Sequence, residues 1–138
     1  MNSKVISVNI NKNKGEIKYP QDSITLKENF GVIGDGHAGT WHKQVSLVDK
    51  SSYLKMESIE NTKFKYGSFA ENITTENIIL YELKIGTLIY INETILEVTQ
   101  IGKKIHPTNF KTMLPKEGIF ARVIKGGTIK PGDVITIK

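Results

Sequence analysis

A mostly β fold, a closed or partly closed β-barrel with one or two peripheral helices, is what this sequence predicts. Three observations carry that expectation. Most apolar residues fall in short stretches that alternate with polar ones and end at Gly, Asn or Pro turns. Only one stretch has helical character. Two segments echo each other, Lys84-Ile85-Gly86-Thr87-Leu88-Ile89-Tyr90-Ile91 and Lys130-Pro131-Gly132-Asp133-Val134-Ile135-Thr136-Ile137. Each is a Gly turn feeding an alternating strand, as small barrels require where strands turn tightly.

In chain order, Val5 to Ile10 alternates as a half-buried strand, and Asn11-Lys12-Asn13-Lys14-Gly15 reads as a turn. Glu16 to Tyr19 resumes extended chain before Pro20. Ser23 to Phe30 holds a further short strand, and Lys43 to Val48 alternates again. Asp49 is placed to cap a helix over Lys50 to Glu60, whose apolar stripe is read as Leu54 and Ile59 with Tyr53 and Met56 beside them. Thr87 to Ile91, a turn at Asn92-Glu93, and Thr94 to Thr99 form a hairpin pattern. Ile119 to Ile124, Thr128 to Lys130 and Asp133 to Ile137 are three closely spaced strands separated by Gly126-Gly127 and Pro131-Gly132.

The 138 residues, 38% hydrophobic and 24% charged, suit one globular domain spanning 1–138. No apolar run approaches the ~20 residues of a membrane helix. The first ten residues alternate in character instead of forming a basic head and an apolar block, so a cytoplasmic location without a secretory signal is expected. There is no cysteine. Disulfides, thiolate metal sites, iron–sulfur clusters and a Cys nucleophile or persulfide are therefore excluded. The net charge of +5 comes from scattered lysines, and Arg122 is the only arginine. Without a basic run or an RNA-binding aromatic signature, nucleic acid is not the expected partner.

Four segments carry chemistry-bearing residues. The densest is Gly31 to Gln44, with four glycines, Asp35, His37, Gly39, Trp41, His42 and Lys43. Clustered glycines let successive backbone amides converge on an anion. Lys43 adds charge, and Trp41 a flat surface for a ring. Three readings stay open: Asp35, His37 and His42 as metal ligands; Asp35 and His37 bonded to the loop's own backbone; or both inside a polar ligand pocket. The second segment, Tyr66 to Asn77, frames Glu71 and Asn72 with apolar residues. It reads either as an Asx-type turn or as an amide and carboxylate aimed into the same pocket. The third, Val98 to Pro107, is a strand ending in a basic, Pro-stopped loop, with Gln100 on the strand and His106 as a further candidate for a metal or an oxyanion. In the fourth, Arg122 shares a strand face with Phe120 and Ile124, either as a surface residue or as a bidentate phosphate ligand. No serine elbow, P-loop or spaced carboxylate pair is present.

In this order the four segments resemble the MOSC family, the domain found at the C-terminal end of molybdenum cofactor sulfurases, and in particular its small stand-alone bacterial members. The likeness runs through Gly34-Asp35-Gly36-His37-Ala38-Gly39 and His42 to Leu47, then Gly67 to Thr75, Val98 to Lys103, and Gly118 to Val123 with Gly126-Gly127 and Gly132-Asp133. It covers nearly the whole chain.

The resemblance implies a barrel related to the pyruvate-kinase β-barrel, with a cleft that works on the molybdenum cofactor (molybdopterin): sulfur carriage to the metal centre, or binding of the pterin. Its partners would be a small anionic ligand or a molybdenum-cofactor enzyme or biosynthesis protein. It carries cofactor-binding roles to Asp35, His37, Gly39, Lys43, Glu71, Asn72, Gln100 and Arg122. In the family a cysteine follows the Gln-Ile-Gly strand; here Ile105 stands in its place, so sulfur transfer through a protein thiol is not expected. Pyridoxal phosphate enters only by analogy, through a desulfurase domain fused upstream in large members, for which this chain has no room. The alternatives are a thiol-independent enzyme or metal-binding protein using the same cleft, with a metal at Asp35, His37 and His42, or a degenerate adaptor that binds a protein. A binding role predicts that Asn72→Ala and Arg122→Ala abolish ligand binding with little change in stability.

Overall fold

In a computed structural model, described for residues 2–102 and 117–138, the chain folds mainly as β-structure. His106 and Ile105 lie outside the described residues. The strands are β1 (Lys4–Ile10), β2 (Tyr19–Gln21), β3 (Ile24–Lys27), β4 (Gly31–Val32), β5 (Val45–Asp49), β6 (Ile73–Glu76), β7 (Leu88–Ile91), β8 (Thr94–Ile101), β9 (Ile119–Lys125), β10 (Gly127–Ile129) and β11 (Ile135–Ile137). Among the described residues one helix, α1 (Lys50–Glu60), and a 3-10 turn at Leu80–Glu82 accompany them.

Eight strands form one sheet in the order β11-β7-β8-β9-β5-β6-β1-β2. The sheet curls until the segment leading into β11 meets β1. Lys4 bridges Val134, Val5 donates to the Asp133 carbonyl and accepts from the Gly132 amide, both at 2.8 Å, and Ile135 donates to Ser3. The result is a partly closed barrel, which hides the strand edges that β1 and β11 would otherwise present. A second sheet, β10-β3-β4, covers one side. The core between them is aliphatic: Val5, Val8, Leu26, Val45, Leu47, Ile73, Ile89, Leu96, Val98, Ile119 and Ile129 among others. Among the described residues no helix is long and apolar enough to cross a membrane.

The echoing segments are neighbours in space. Ile89, Tyr90 and Ile91 of β7 pair with Ile137, Thr136 and Ile135 of β11. Gly86 and Gly132 occupy the same turn position at φ 93° and 98°, where a side chain is disfavoured.

Most of the barrel is antiparallel, but β5 and β6 run parallel. A parallel pair needs a crossover connection, and α1 supplies it. Asp49 caps the helix, its carboxylate accepting from the Ser51 amide at 3.0 Å, and Asn61 closes it in the left-handed conformation at φ 52°. The buried face is not the stripe expected from the sequence. Leu54 and Ile59 are exposed, and Ser52, Tyr53 and Met56 point inward. Tyr53 and Met56 pack with Val48, Phe64, Tyr66 and Phe69 in a separate cluster outside the barrel. Every residue of β5 is buried, because the barrel core lies against one face and this cluster against the other.

Candidate functional site

The loop from Gly34 to His42 is held from below by a buried ion pair. The Lys18 ammonium donates to both oxygens of Asp35, at 2.8 and 3.1 Å, and the two side chains are 1% and 0% exposed. Asp35 also accepts from the amides of Asn11 and His37, each at 3.0 Å. Its carboxylate therefore ties the β1–β2 connection to the glycine loop. Gly36 allows the close contact: a Cβ there would stand 2.5 Å from the Lys12 carbonyl oxygen and 2.7 Å from the Lys14 nitrogen.

Above that anchor lies an aromatic group. The Trp41 indole donates to the His37 carbonyl at 3.0 Å. The His37 ring lies 4.9 Å from Trp41 and stacks on Phe120 at 5.7 Å and 21°. Phe120 and Arg122 point outward from β9, between inward-facing Ile119, Ala121 and Val123. Two ammonium groups approach the aromatic surface. Lys14 sits 4.2 Å over Trp41, and Lys43 lies 5.9 Å from Trp41 and 5.2 Å from Phe120.

An irregularity between Val98 and Gln100 sets Gln100 opposite Phe120 on the outer face of β8. Bulges re-aim side chains in this way beside functional sites. Gln100 then meets His42, Oε1 to Nε2 at 3.0 Å, and donates to the Gly102 carbonyl at 2.7 Å. Thr99 hydroxyl donates to the His42 carbonyl. One step along the same face, Arg122 Nε donates to Glu97 Oε1 at 2.6 Å. Trp41, His42, Glu97, Thr99 and Arg122 line one open cleft of about 420 Å³, together with Asn29 and Ile85.

The family model of the MOSC domain matches residues 34–136. The chain belongs to the MOSC domain family. Solved structures share the fold: YUAD from Bacillus subtilis at a TM-score of 0.81 and 18% identity, covering 99% of this chain and 96% of that one. YiiM from Geobacillus stearothermophilus gives 0.76 and 19%, covering 99% and 75%, and YiiM from Escherichia coli 0.70 and 18%, covering 100% and 70%. No curated protein matches the sequence.

The MOSC motifs divide into two kinds of position. Arg122 and His42 line the cleft, Gln100 touches His42, and His37 and Lys43 join the aromatic group. A Cβ at Gly39 would stand 3.6 Å from Trp41 Cδ1. Asp35, Glu71 and Asn72 are interior. Glu71 is fully buried, and its Oε2 accepts from Tyr53 at 2.6 Å, Thr74 at 2.7 Å and the Gly67 amide at 3.3 Å. Burial pushes the Glu71 carboxyl pKa up, and burial with the neighbouring Glu71 charge pushes the Tyr53 phenol up. Asn72 accepts from the Ser46 amide at 3.1 Å and donates to the Asn9 carbonyl at 3.2 Å. Among the described residues no three His, Asp or Glu side chains converge as a metal site, so Asp35, His37 and His42 do not form the ligand set that their order in the loop suggested.

Sequence reasoning missed Lys14, Lys18 and Glu97. No local pattern marks them, because the chain brings each to the MOSC loop or cleft from another strand or turn.

His37 gives a test of this packing. Burial, and then the Lys18 ammonium, hold its pKa down at about 4 from an ordinary 6.5. Between those values the unfolded chain binds a proton that the folded chain refuses. Its contribution to stability is full above 6.5 and is lost as pH falls towards 4. NMR titration is expected to show the His37 ring neutral down to about pH 4, and His37→Gln to flatten the stability–pH slope across that window. A ring that titrates at its ordinary value would place His37 in solvent.

Proposed function

We propose that this MOSC domain binds the molybdenum cofactor, or a related anionic pterin, in the cleft beside Trp41. The observation that carries this reading is an indole flanked by the Lys14 and Lys43 ammonium groups at the edge of a cleft that also holds Arg122. A flat heteroaromatic ring bearing a phosphate needs those two things together, a stacking surface and fixed positive charge. Family membership adds to it, since the family is linked to molybdenum cofactor metabolism.

The residues present fit the organic part of the cofactor. Arg122 and Lys43 would hold its phosphate, Trp41 its ring, and His42, oriented by Gln100, a polar edge. The chain offers no thiolate to the metal, having no cysteine. When bound, the cofactor would supply the redox chemistry of its molybdenum. The protein's own residues bind and orient it, and Asp35, Asn72 and Glu71 keep the loop and strands that do so in place. A molybdenum-cofactor enzyme or biosynthesis protein would then be the donor or the recipient.

The test is elemental mass spectrometry for molybdenum, with pterin fluorescence after oxidation, on protein purified from a cofactor-producing host. Near-stoichiometric pterin is expected. Its absence from well-folded protein would overturn the reading. Arg122→Ala is expected to lower pterin retention roughly tenfold to a hundredfold, the scale of a lost charge-assisted hydrogen bond. Stability should hardly change, because the Arg122–Glu97 pair is exposed.

A further inference from the structure

We infer that Glu97 is the specificity-determining residue of the cleft, and that it selects a ring with paired N–H donors, the 2-amino-4-oxopyrimidine edge of a pterin. This rests on the proposed pterin-binding reading and narrows it.

Glu97 is out of place in a cleft meant only for an anion. Its carboxylate lines the same space as Trp41 and Arg122, where a second negative charge repels a bare phosphate. Arg122 Nε engages one oxygen, Oε1, at 2.6 Å. Among the described residues Oε2 has no hydrogen-bond partner, and a bonded carboxylate oxygen keeps a further lone pair. Glu97 projects from β8 opposite Arg122 of β9, so strand pairing fixes its base. The arginine fixes its tip.

An oriented carboxylate with acceptor capacity on both oxygens matches two parallel N–H donors about as far apart as its oxygens. The ring N3–H and 2-amino group of a pterin are such a pair, in the plane of the ring that would lie against Trp41. Lumazine carries a 2-oxo group in place of the amine, with a further N–H at N1 on the far side of that oxygen. On the corresponding edge it presents one N–H between two carbonyl oxygens, and those oxygens repel the carboxylate. A site built to accept N–H bonds rejects the analogue that lacks them because its own polar group is left unpaired.

Pterin and lumazine provide the test, titrated at neutral pH by calorimetry and by quenching of Trp41, the single tryptophan of the chain. Wild-type protein is expected to bind pterin roughly tenfold to a hundredfold more tightly than lumazine. Glu97→Gln, which keeps the shape and loses the charge, should bring the two within about threefold by weakening pterin. Equal binding of both rings by wild-type protein would overturn the role of Glu97 and leave ring binding standing. Binding of neither ring would overturn the pterin reading itself, and this inference with it. A wild-type preference that survives Glu97→Gln would assign the selection to another residue.

Discussion

Asp35→Ala is expected to lower the melting temperature by roughly 10–20 °C. The substitution strands the Lys18 ammonium in a place where its side chain is 1% exposed. It also removes the acceptor of the Asn11 and His37 amides. Breaking a buried pair from one side costs about 3–5 kcal/mol, because the remaining charge has neither water nor partner. The double variant Lys18→Met with Asp35→Asn should recover part of that loss, since it leaves no unpaired ion. Trp41 fluorescence supplies a second readout. The loop that carries the indole is expected to loosen, and its emission should shift to the red before global unfolding. A loss below about 1 kcal/mol would mean that Lys18 escapes to solvent and that the ion pair does not pin the loop.

Asn72→Ala is expected to destabilise the fold by roughly 2–5 kcal/mol, measured by urea unfolding. Here the structure departs from the expectation drawn from the sequence, in which the variant keeps its stability. The Asn72 side chain joins three strands' worth of backbone: it accepts from Ser46 of β5, donates to Asn9 of β1, and stands just before β6. Its own main chain adds bonds to the same two residues, at 3.0 and 2.8 Å. Alanine leaves a buried amide and a buried carbonyl unsatisfied and opens a small void beside them. Unchanged stability together with lost ligand binding would return Asn72 to the role of a ligand contact.

The fold was legible wherever one face of a strand meets the core and the other meets solvent. The β9 segment shows it well, alternating Ile119, Ala121 and Val123 inward with Phe120 and Arg122 outward. Residues Ile73 to Glu76 gave no such signal. Ile73, Thr74 and Thr75 of β6 are all buried, so period-two contrast is absent. In α1 the cap was readable from Asp49, but the buried face was not. Leu54 and Ile59 are more apolar than Ser52, and yet Ser52 faces inward because the helix is turned by what Tyr53 reaches, the Glu71 carboxylate and the Phe69 ring.

The site was legible as a set of residues and not as a geometry. A polar residue among apolar ones looks the same in sequence whether it will bond the protein's own backbone, as Asp35 and Asn72 do, or line a cleft, as Arg122 does. Only the partners separate the two cases. Lys18 reaches Asp35 from 17 positions away, and Glu97 reaches Arg122 from 25.

The hydrogen bonds that join β1 to the start of β11 also set an order of events in time. Val5 pairs on one side with Thr75 and bonds Gly132 and Asp133 on the other. A ribosome must therefore have passed residue 133 before β1 can be enclosed. Such distant pairings close large loops before they are rewarded, which makes folding slow. Until then Val5 lacks these partners on a nascent chain, and aggregation competes with folding for as long as it does.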